Sequence, residues 1–274
     1  MRISYSNMAD LYTVLTSSPA ITGYPVSNVQ DMRISQTYRT SELSTATIVM
    51  NLGTRTDSSS MTVAIVGHNF TSSVSIIAGF GPDSTTQTIA YNSNMILKFF
   101  DTVVPITYSQ KLLAENGDFL TTEDGKYLTT EYDYTTFQLT ISDPTNTNGY
   151  LEIGRVWVGK YITIDPSSLL DFKVIKKRSD YVQYGRNRQK WANGGVGWRR
   201  FELNFPPSEE VMIEQINTMY DEIGNYKSLI FCNFDIIRNY VLVEPCYCSI
   251  DGSITFNHTE RMKFTYSLNL EEDL

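Results

Sequence analysis

Gly149-Tyr-Leu-Glu-Ile-Gly-Arg-Val-Trp-Val-Gly159 is the stretch on which the reading of this chain turns. Leu151, Ile153, Val156, Trp157 and Val158 are apolar, and glycines stand at 149, 154 and 159. Three glycines would weaken a helix, whereas a buried strand broken at Gly154 can use them. The stretch predicts the closing strand of an all-β domain, with a smaller domain of different character after it.

Working back from that strand, short alternating runs recur without a helical period. Thr47–Gly53, Met61–Gly67, Ser73–Ala78, Thr86–Tyr91, Ile96–Phe100, Val103–Tyr108 and Thr136–Ile141 each read as a strand. The last alternates strictly and is expected to bury Phe137, Leu139 and Ile141. Residues 1–45 read as turn-rich, broken by Pro19, Gly23 and Pro25. Strands at this spacing indicate a β-sandwich or jelly roll over residues 1–165.

At 274 residues the chain has room for two domains, and 41% hydrophobic content marks it as globular. Its eighteen tyrosines, beside many Thr and Ser residues, favour strands. No apolar run is long enough for a membrane helix, and the opening Met1-Arg-Ile-Ser-Tyr-Ser-Asn7 lacks the apolar core of a secretory signal. Synthesis in a cytoplasm and no membrane insertion are therefore expected. The three cysteines, Cys232, Cys246 and Cys248, read as partly buried thiols rather than a disulfide framework. A zinc site would need His258 as a fourth ligand and is not expected.

Two charged segments stand out. Glu115-Asn-Gly-Asp-Phe-Leu-Thr-Thr is followed directly by Glu123-Asp-Gly-Lys-Tyr-Leu-Thr-Thr, a tandem eight-residue repeat with Asn-Gly and Asp-Gly turn signals. It predicts an inserted β-arm over about residues 112–134. Glu115, Asp118, Glu123, Asp124, Glu131 and Asp133 stand there against Lys126 alone, a net charge of −5. The arm is read as solvated or partner-facing, since its spacing matches no helix-loop-helix calcium site. The second segment, 173–200, carries nine cations and one acid, Asp180, inside a chain of net charge −8. Arg186, Arg188, Lys190, Trp191, Trp198, Arg199 and Arg200 form its basic, tryptophan-bearing hairpin, and Arg and Trp are favoured interface anchors. Single-stranded nucleic acid would suit such residues too, but no recognised motif accompanies them.

The rest of the second domain, 166–274, is read as a β-sandwich or barrel with one helix over about 208–223. Ser208 is its expected cap after Pro206-Pro207. Met212, Ile216, Met219 and Ile223 are expected to form its buried stripe, and Gly224 its stop. Strands follow over Ser228–Phe234, Tyr240–Cys248, Ser253–Phe256 and Arg261–Leu270.

No Gly-x-Ser-x-Gly elbow, paired-histidine metal motif or dinucleotide glycine pattern occurs, and His68 and His258 are the sole histidines. No enzyme activity, cofactor or metal is expected.

Arg39-Thr-Ser41, Ile48-Val-Met-Asn-Leu-Gly53, Val63-Ala-Ile-Val-Gly-His-Asn69, Phe137–Asp143 and Tyr150–Gly159 resemble the galactose-binding, discoidin-like jelly roll. That resemblance implies loops able to take glycans at one end of a sandwich. His68 and Asn69 are the nearest polar candidates for such contact, set against the reading that they cap the strand end at residue 67. The Glu-Asp-Gly-aromatic-Leu repeat is similar to repeats in structural proteins of tailed bacteriophages. Trp198-Arg-Arg-Phe-Glu-Leu203, set before a single helix and a long last strand, resembles the tail-tube-like fold of phage tail-tip proteins. Together they imply a tail-tip or baseplate subunit of a virion, a distal-tail-like protein. Its expected partners are other copies in a ring, neighbouring tail proteins and host-surface carbohydrate, not nucleic acid. A carbohydrate-binding module protein is the alternative, and a nucleic-acid-binding protein the third reading.

Overall fold

The computed structural model describes residues 1–12, 14–16, 18–54, 59–80, 87–93, 95–103, 106–111, 129–164, 171–178, 181–184, 190–193, 197–235, 240–260 and 263–273. The chain is mainly β and divides into two compact units. Asn7–Lys160 forms the first; Met1–Ser6 and Tyr161–Leu274 together form the second. The sequence reading set the boundary at 165 and counted the opening residues with the first domain. The structure instead pairs strand β1 (Arg2–Ser4) with strands of the second unit.

The first unit is a sandwich of two antiparallel sheets. One contains β2 (Val14–Thr16), β4 (Ala46–Thr54), β6 (Ser75–Phe80), β7 (Gln87–Thr88), β9 (Ile106–Lys111) and β10 (Thr129–Ser142), while β3 is Tyr38–Arg39. The other pairs β8 (Met95–Val103), β5 (Ser59–His68) and β11 (Glu152–Thr163), with β3 beside the start of β11. Strict alternation in β10 does what it predicts. Phe137, Leu139 and Ile141 are fully buried and stand opposite Met50, Ile48 and Ala46 on β4. On its other side β10 sets the same residues against Phe80, Ala78 and Ile76 of β6. Met61, Val63 and Ile65 of β5, with Val156 and Val158 of β11, close the same core. Interdigitation of two such faces is what holds a sandwich together.

The stretch 149–159 takes a form that its glycines explain. Gly149 turns the chain at φ +77°, and the strand itself begins at Glu152 and runs unbroken through Gly154. What changes at Gly154 is the face. Ile153, Val156 and Val158 all point into the core, an odd step that reverses the alternation. Opposite it, between the paired couples Ile153–His68 and Arg155–Val66, lies Gly67 with φ +64°. A Cβ on Gly67 would stand 2.3 Å from Ile34 Cγ2, and one on Gly154 would stand 2.7 Å from the Ile34 carbonyl oxygen. The two glycines thus make the seat on which the loop at Ile34 rests.

Arg155 and Trp157 lie outside that core, yet both are buried. Arg155 Nη2 donates to Asp10 Oδ2 at 2.6 Å and Nη1 to the Gln30 carbonyl at 3.2 Å. Between β3 and β1 no described strand pairs with that edge of β11, and the Asn7 side chain serves there instead. Its Nδ2 donates to the Val156 carbonyl at 3.1 Å, and its Oδ1 accepts from Val158 N–H at 2.9 Å.

In the second unit the sheet order is β12 (Asp171–Arg178), β15 (Gly197–Glu209), β19 (Lys263–Glu272), β17 (Tyr240–Ile250), β16 (Ser228–Asp235), β1 and the last residues of β11. β18 (Thr255–Glu260) pairs with β19, and β13 (Tyr181–Tyr184) forms a hairpin with β14 (Lys190–Asn193). Helix α1 (Glu210–Ile223) buries Ile213, Ile216, Met219 and Ile223, and Gly224 ends it with φ +57°. Ser208 is not the helix cap. β15 continues through Pro206-Pro207 with a one-residue register slip, placing Ser208 opposite Phe264. A bulge accommodates prolines, which have no N–H for the ladder.

Cys232, Cys246 and Cys248 are free and buried. Burial pushes the Cys232 thiol up to about 12 and also raises that of Cys248, so both stay protonated and unreactive.

Candidate functional site

One end of the first unit gathers several loops. There β5 and β10 finish, β6 and β11 begin, and their connections are tied together by side chains rather than by strand ladders. Asp143, fully buried, accepts from Thr71 N–H and Thr71 Oγ1, both at 2.7 Å. Asn146 Nδ2 donates to the Asn69 carbonyl at 3.0 Å. Thr40 N–H donates to the Leu151 carbonyl, and Thr40 Oγ1 accepts from Leu151 N–H, each at 3.0 Å. Fixed loops of this kind leave little ordering cost for a ligand.

His68 and Asn69 belong to this scaffold. His68 Nδ1 accepts from Phe70 N–H at 3.3 Å, so Nε2 carries the proton and donates to the Asn92 carbonyl at 3.0 Å. Its ring stacks on Phe70 at 4.7 Å, and burial lowers its pKa against the opposing pull of the Asn92 bond. Asn69 Nδ2 donates to the Tyr150 carbonyl and its Oδ1 accepts from Glu152 N–H. Both ring nitrogens of His68 are engaged within the chain.

On the surface of that scaffold, Arg39 and Glu152 sit directly across the β3–β11 ladder and pair through Arg39 Nε and Glu152 Oε2. The Arg39 guanidinium lies over the Tyr24 ring at 4.0 Å from its centroid and over the Tyr150 ring at 4.9 Å. Partial desolvation works against its charge, but the hydrogen bond and charge of Glu152 outweigh that and raise its pKa. The side chains of Arg39 and Glu152 remain 27% and 23% exposed, so the cluster reaches solvent. Sequence reasoning did not single out Tyr24, Arg39, Tyr150 and Glu152 as a site. Arg39 and Glu152 lie 113 positions apart, and neither has a local motif.

The basic segment is arranged otherwise. Trp198 Nε1 donates to Glu271 Oε1, which Lys177 Nζ also meets at 3.5 Å. Arg199 binds Glu272 through Nε at 3.0 Å and Nη2 at 2.6 Å, and Arg200 Nη1 reaches Asp251 at 2.8 Å. Trp198, Asp251, Glu271 and Glu272 border a cavity of about 550 Å³ that Ser249 and Asp273 also line. Burial, with Glu271 adding to it, raises the Asp273 pKa against the hydrogen bonds from Ser228 and Ser249. Lys190 and Trp191 lie on β14 with side chains that are not described, and Arg186 and Arg188 lie outside the described residues. Of the acidic arm, Glu131 and Asp133 fall on β10 opposite Ser109 and Thr107. Glu115, Asp118, Glu123 and Asp124 lie outside the described residues. Among the described residues no group of three or more His, Cys, Asp or Glu side chains is placed to hold a metal, and no helix is long and apolar enough to cross a membrane.

No protein-family model matches the chain, and no curated protein matches it in sequence. Among solved structures it is similar to CpGH89CBM32-4, a carbohydrate-binding module produced by Clostridium perfringens, in complex with GlcNAc-alpha-1,4-galactose. That match is 13% identical, covers 58% of this chain and 94% of that one, and has a TM-score of 0.33.

Proposed function

We propose that this protein is a non-catalytic recognition protein whose first unit binds glycan at the sandwich end bearing Tyr24, Arg39, Tyr150 and Glu152. The observation that carries the reading is the pairing of two tyrosine rings with a solvent-reaching arginine–carboxylate couple held on the β3–β11 ladder. Sugar recognition needs apolar ring surface together with charged or polar groups that meet hydroxyls, held rigidly enough to limit entropic loss. A glycan array probed with the full chain tests it. Specific retention on a defined set of sugars, lost in Tyr150→Ala, is the expected result. Silence across the array, with the protein folded, would sink it.

A second reading is favoured by charge segregation. Residues 173–200 hold nine cations, residues 115–133 carry a net −5, and Lys173, Lys176 and Arg178 of the edge strand β12 are exposed beside Val174 and Ile175. In this reading the chain is a structural subunit of a phage tail tip or baseplate. Its copies pair basic surface with acidic arm, and its place is the virion. Complementary charge of this sort sets partner choice and register. Reversing Arg186, Arg188 and Lys190 to glutamate is expected to abolish self-assembly followed by light scattering. Unchanged assembly removes the charge pairing. The two readings are compatible, because a tail-tip subunit can carry a sugar-binding sandwich.

A further inference from the structure

The terminal nitrogens of Arg39 are the part of the sandwich end that its own scaffold leaves open. Nε is taken by Glu152, and the rings of Tyr24 and Tyr150 pack against the guanidinium. Nη1 and Nη2 hydrogen-bond to no described residue, while the side chain is 27% exposed. Arg155, on the neighbouring strand β11, shows the contrasting state: both of its terminal nitrogens bind groups of the chain itself. A guanidinium fork held flat, with its inner nitrogen already fixed, matches the two oxygens of a carboxylate in a bidentate pair.

We infer that the glycan taken at this end carries a carboxylate, as uronic and sialic acids do, and that Arg39 is the residue that reads it. The inference rests on the glycan-binding reading above. The setting selects a single anionic group rather than a polyanion. Among the described residues Arg39 offers one fork here, Glu152 stands beside it, and the whole chain carries a net charge of −8. A neutral sugar would leave the fork to water, whereas a carboxylate satisfies both terminal nitrogens at once. Glu152 neutralises most of the charge of Arg39, so what distinguishes the acid is directional hydrogen bonding more than long-range attraction. Tyr24 and Tyr150 supply ring surface and phenolic hydroxyls beside the same point.

The test uses the full chain and matched probes: the methyl glycosides of glucuronic acid and of N-acetylneuraminic acid, each beside its neutral methyl ester. Calorimetric titration is expected to show one of the acids bound about tenfold more tightly than its ester, which corresponds to about 1.4 kcal/mol. Arg39→Lys, which keeps the charge but not the fork, is expected to erase that preference. Glu152→Gln is expected to retain it. Should Arg39→Lys fail to fold, the side-chain nitrogen resonances of Arg39 in the wild-type protein give the same answer, moving with the acid and not with the ester. Acid and ester bound equally, or the preference surviving in Arg39→Lys, would overturn the role of Arg39 while leaving glycan binding intact. Acetate bound as tightly as the acid glycoside would reduce the site to an anion-binding spot and also overturn it. No binding of any array glycan would remove this inference and the glycan reading together.

Discussion

Glu152 and Arg155 are three residues apart on one strand and end in opposite circumstances. At the sandwich end, Glu152 meets Arg39 in a couple that still touches water. Three residues on, Arg155 meets Asp10 at 2.6 Å with its own side chain only 2% exposed. The chemistry is the same, an arginine and a carboxylate in hydrogen-bond contact. What differs is cover: Gln30, Asp10 and the loop at Ile34 close over the strand at 154–155 and stop short of 152. Arginine–carboxylate pairing therefore says nothing of role by itself. The number of guanidinium nitrogens left open does.

The contrast can be broken most violently at its boundary. Gly154→Ala places a Cβ 2.7 Å from the Ile34 carbonyl oxygen and 2.9 Å from that of Val66. Backbone cannot swing aside as a side chain can, so a loss of about 3 kcal/mol in denaturant unfolding is expected. Adding Ile34→Ala should recover little of it. Ile34→Ala should relieve Gly67→Ala in part, because there the obstacle is a side-chain methyl, although the positive φ remains.

Asp10→Ala comes next. It leaves the buried Arg155 without its carboxylate, and about 2–3 kcal/mol is expected from the same measurement, less than for a wholly buried pair because Asp10 is 33% exposed. Asn7→Ala removes both stand-in hydrogen bonds on the β11 edge, at a cost of about 1–2 kcal/mol, and should speed amide exchange at Val158. Smaller again is the pH response of His68. Its folded pKa lies below the ordinary value of about 6.5, so the unfolded chain binds more protons in that interval. Stability should hold above pH 6.5 and decline as pH falls toward the folded pKa, below which the loss is complete. His68→Gln should flatten that decline. Smallest of all is Arg39→Lys, expected to shift stability by no more than about 0.5 kcal/mol, since the couple it disturbs still reaches solvent and lysine keeps the charge. A large loss there would make Arg39 a structural residue like Arg155 and erase the comparison.

Much of the fold was legible because alternation is a local signal. Phe137, Leu139 and Ile141 announce the buried face of β10, and Ile216, Met219 and Ile223 that of α1, without reference to distant residues. β1 was not legible. Three residues of mixed character become a strand only because Thr163 and Cys232 stand ready on either side of Arg2. Ser208 was misread because Pro206-Pro207 looks like a terminator, and a register slip that rescues prolines leaves no mark in the sequence. The site was the least legible part. Arg39, Tyr24, Tyr150 and Glu152 are ordinary surface residues until the β3–β11 ladder brings two of them face to face. Trp198, Arg199 and Arg200 were conspicuous, yet Glu271, Glu272 and Asp251, which answer them, lie more than fifty positions away.

The pairing of Ser4 with Tyr161 has a consequence for how such a molecule can be taken apart. These two residues face each other across an antiparallel ladder, and only Tyr5 and Ser6 follow Ser4 before the first unit starts. Delete residues 7–160 from the gene and Tyr5-Ser6 becomes a two-residue hairpin turn joining the same two strands. The first unit is thus a guest carried in the turn of its host. It can be excised, replaced or transplanted as a cassette whose cut points are residues 7 and 160, a more natural fragment than one that keeps the first six residues.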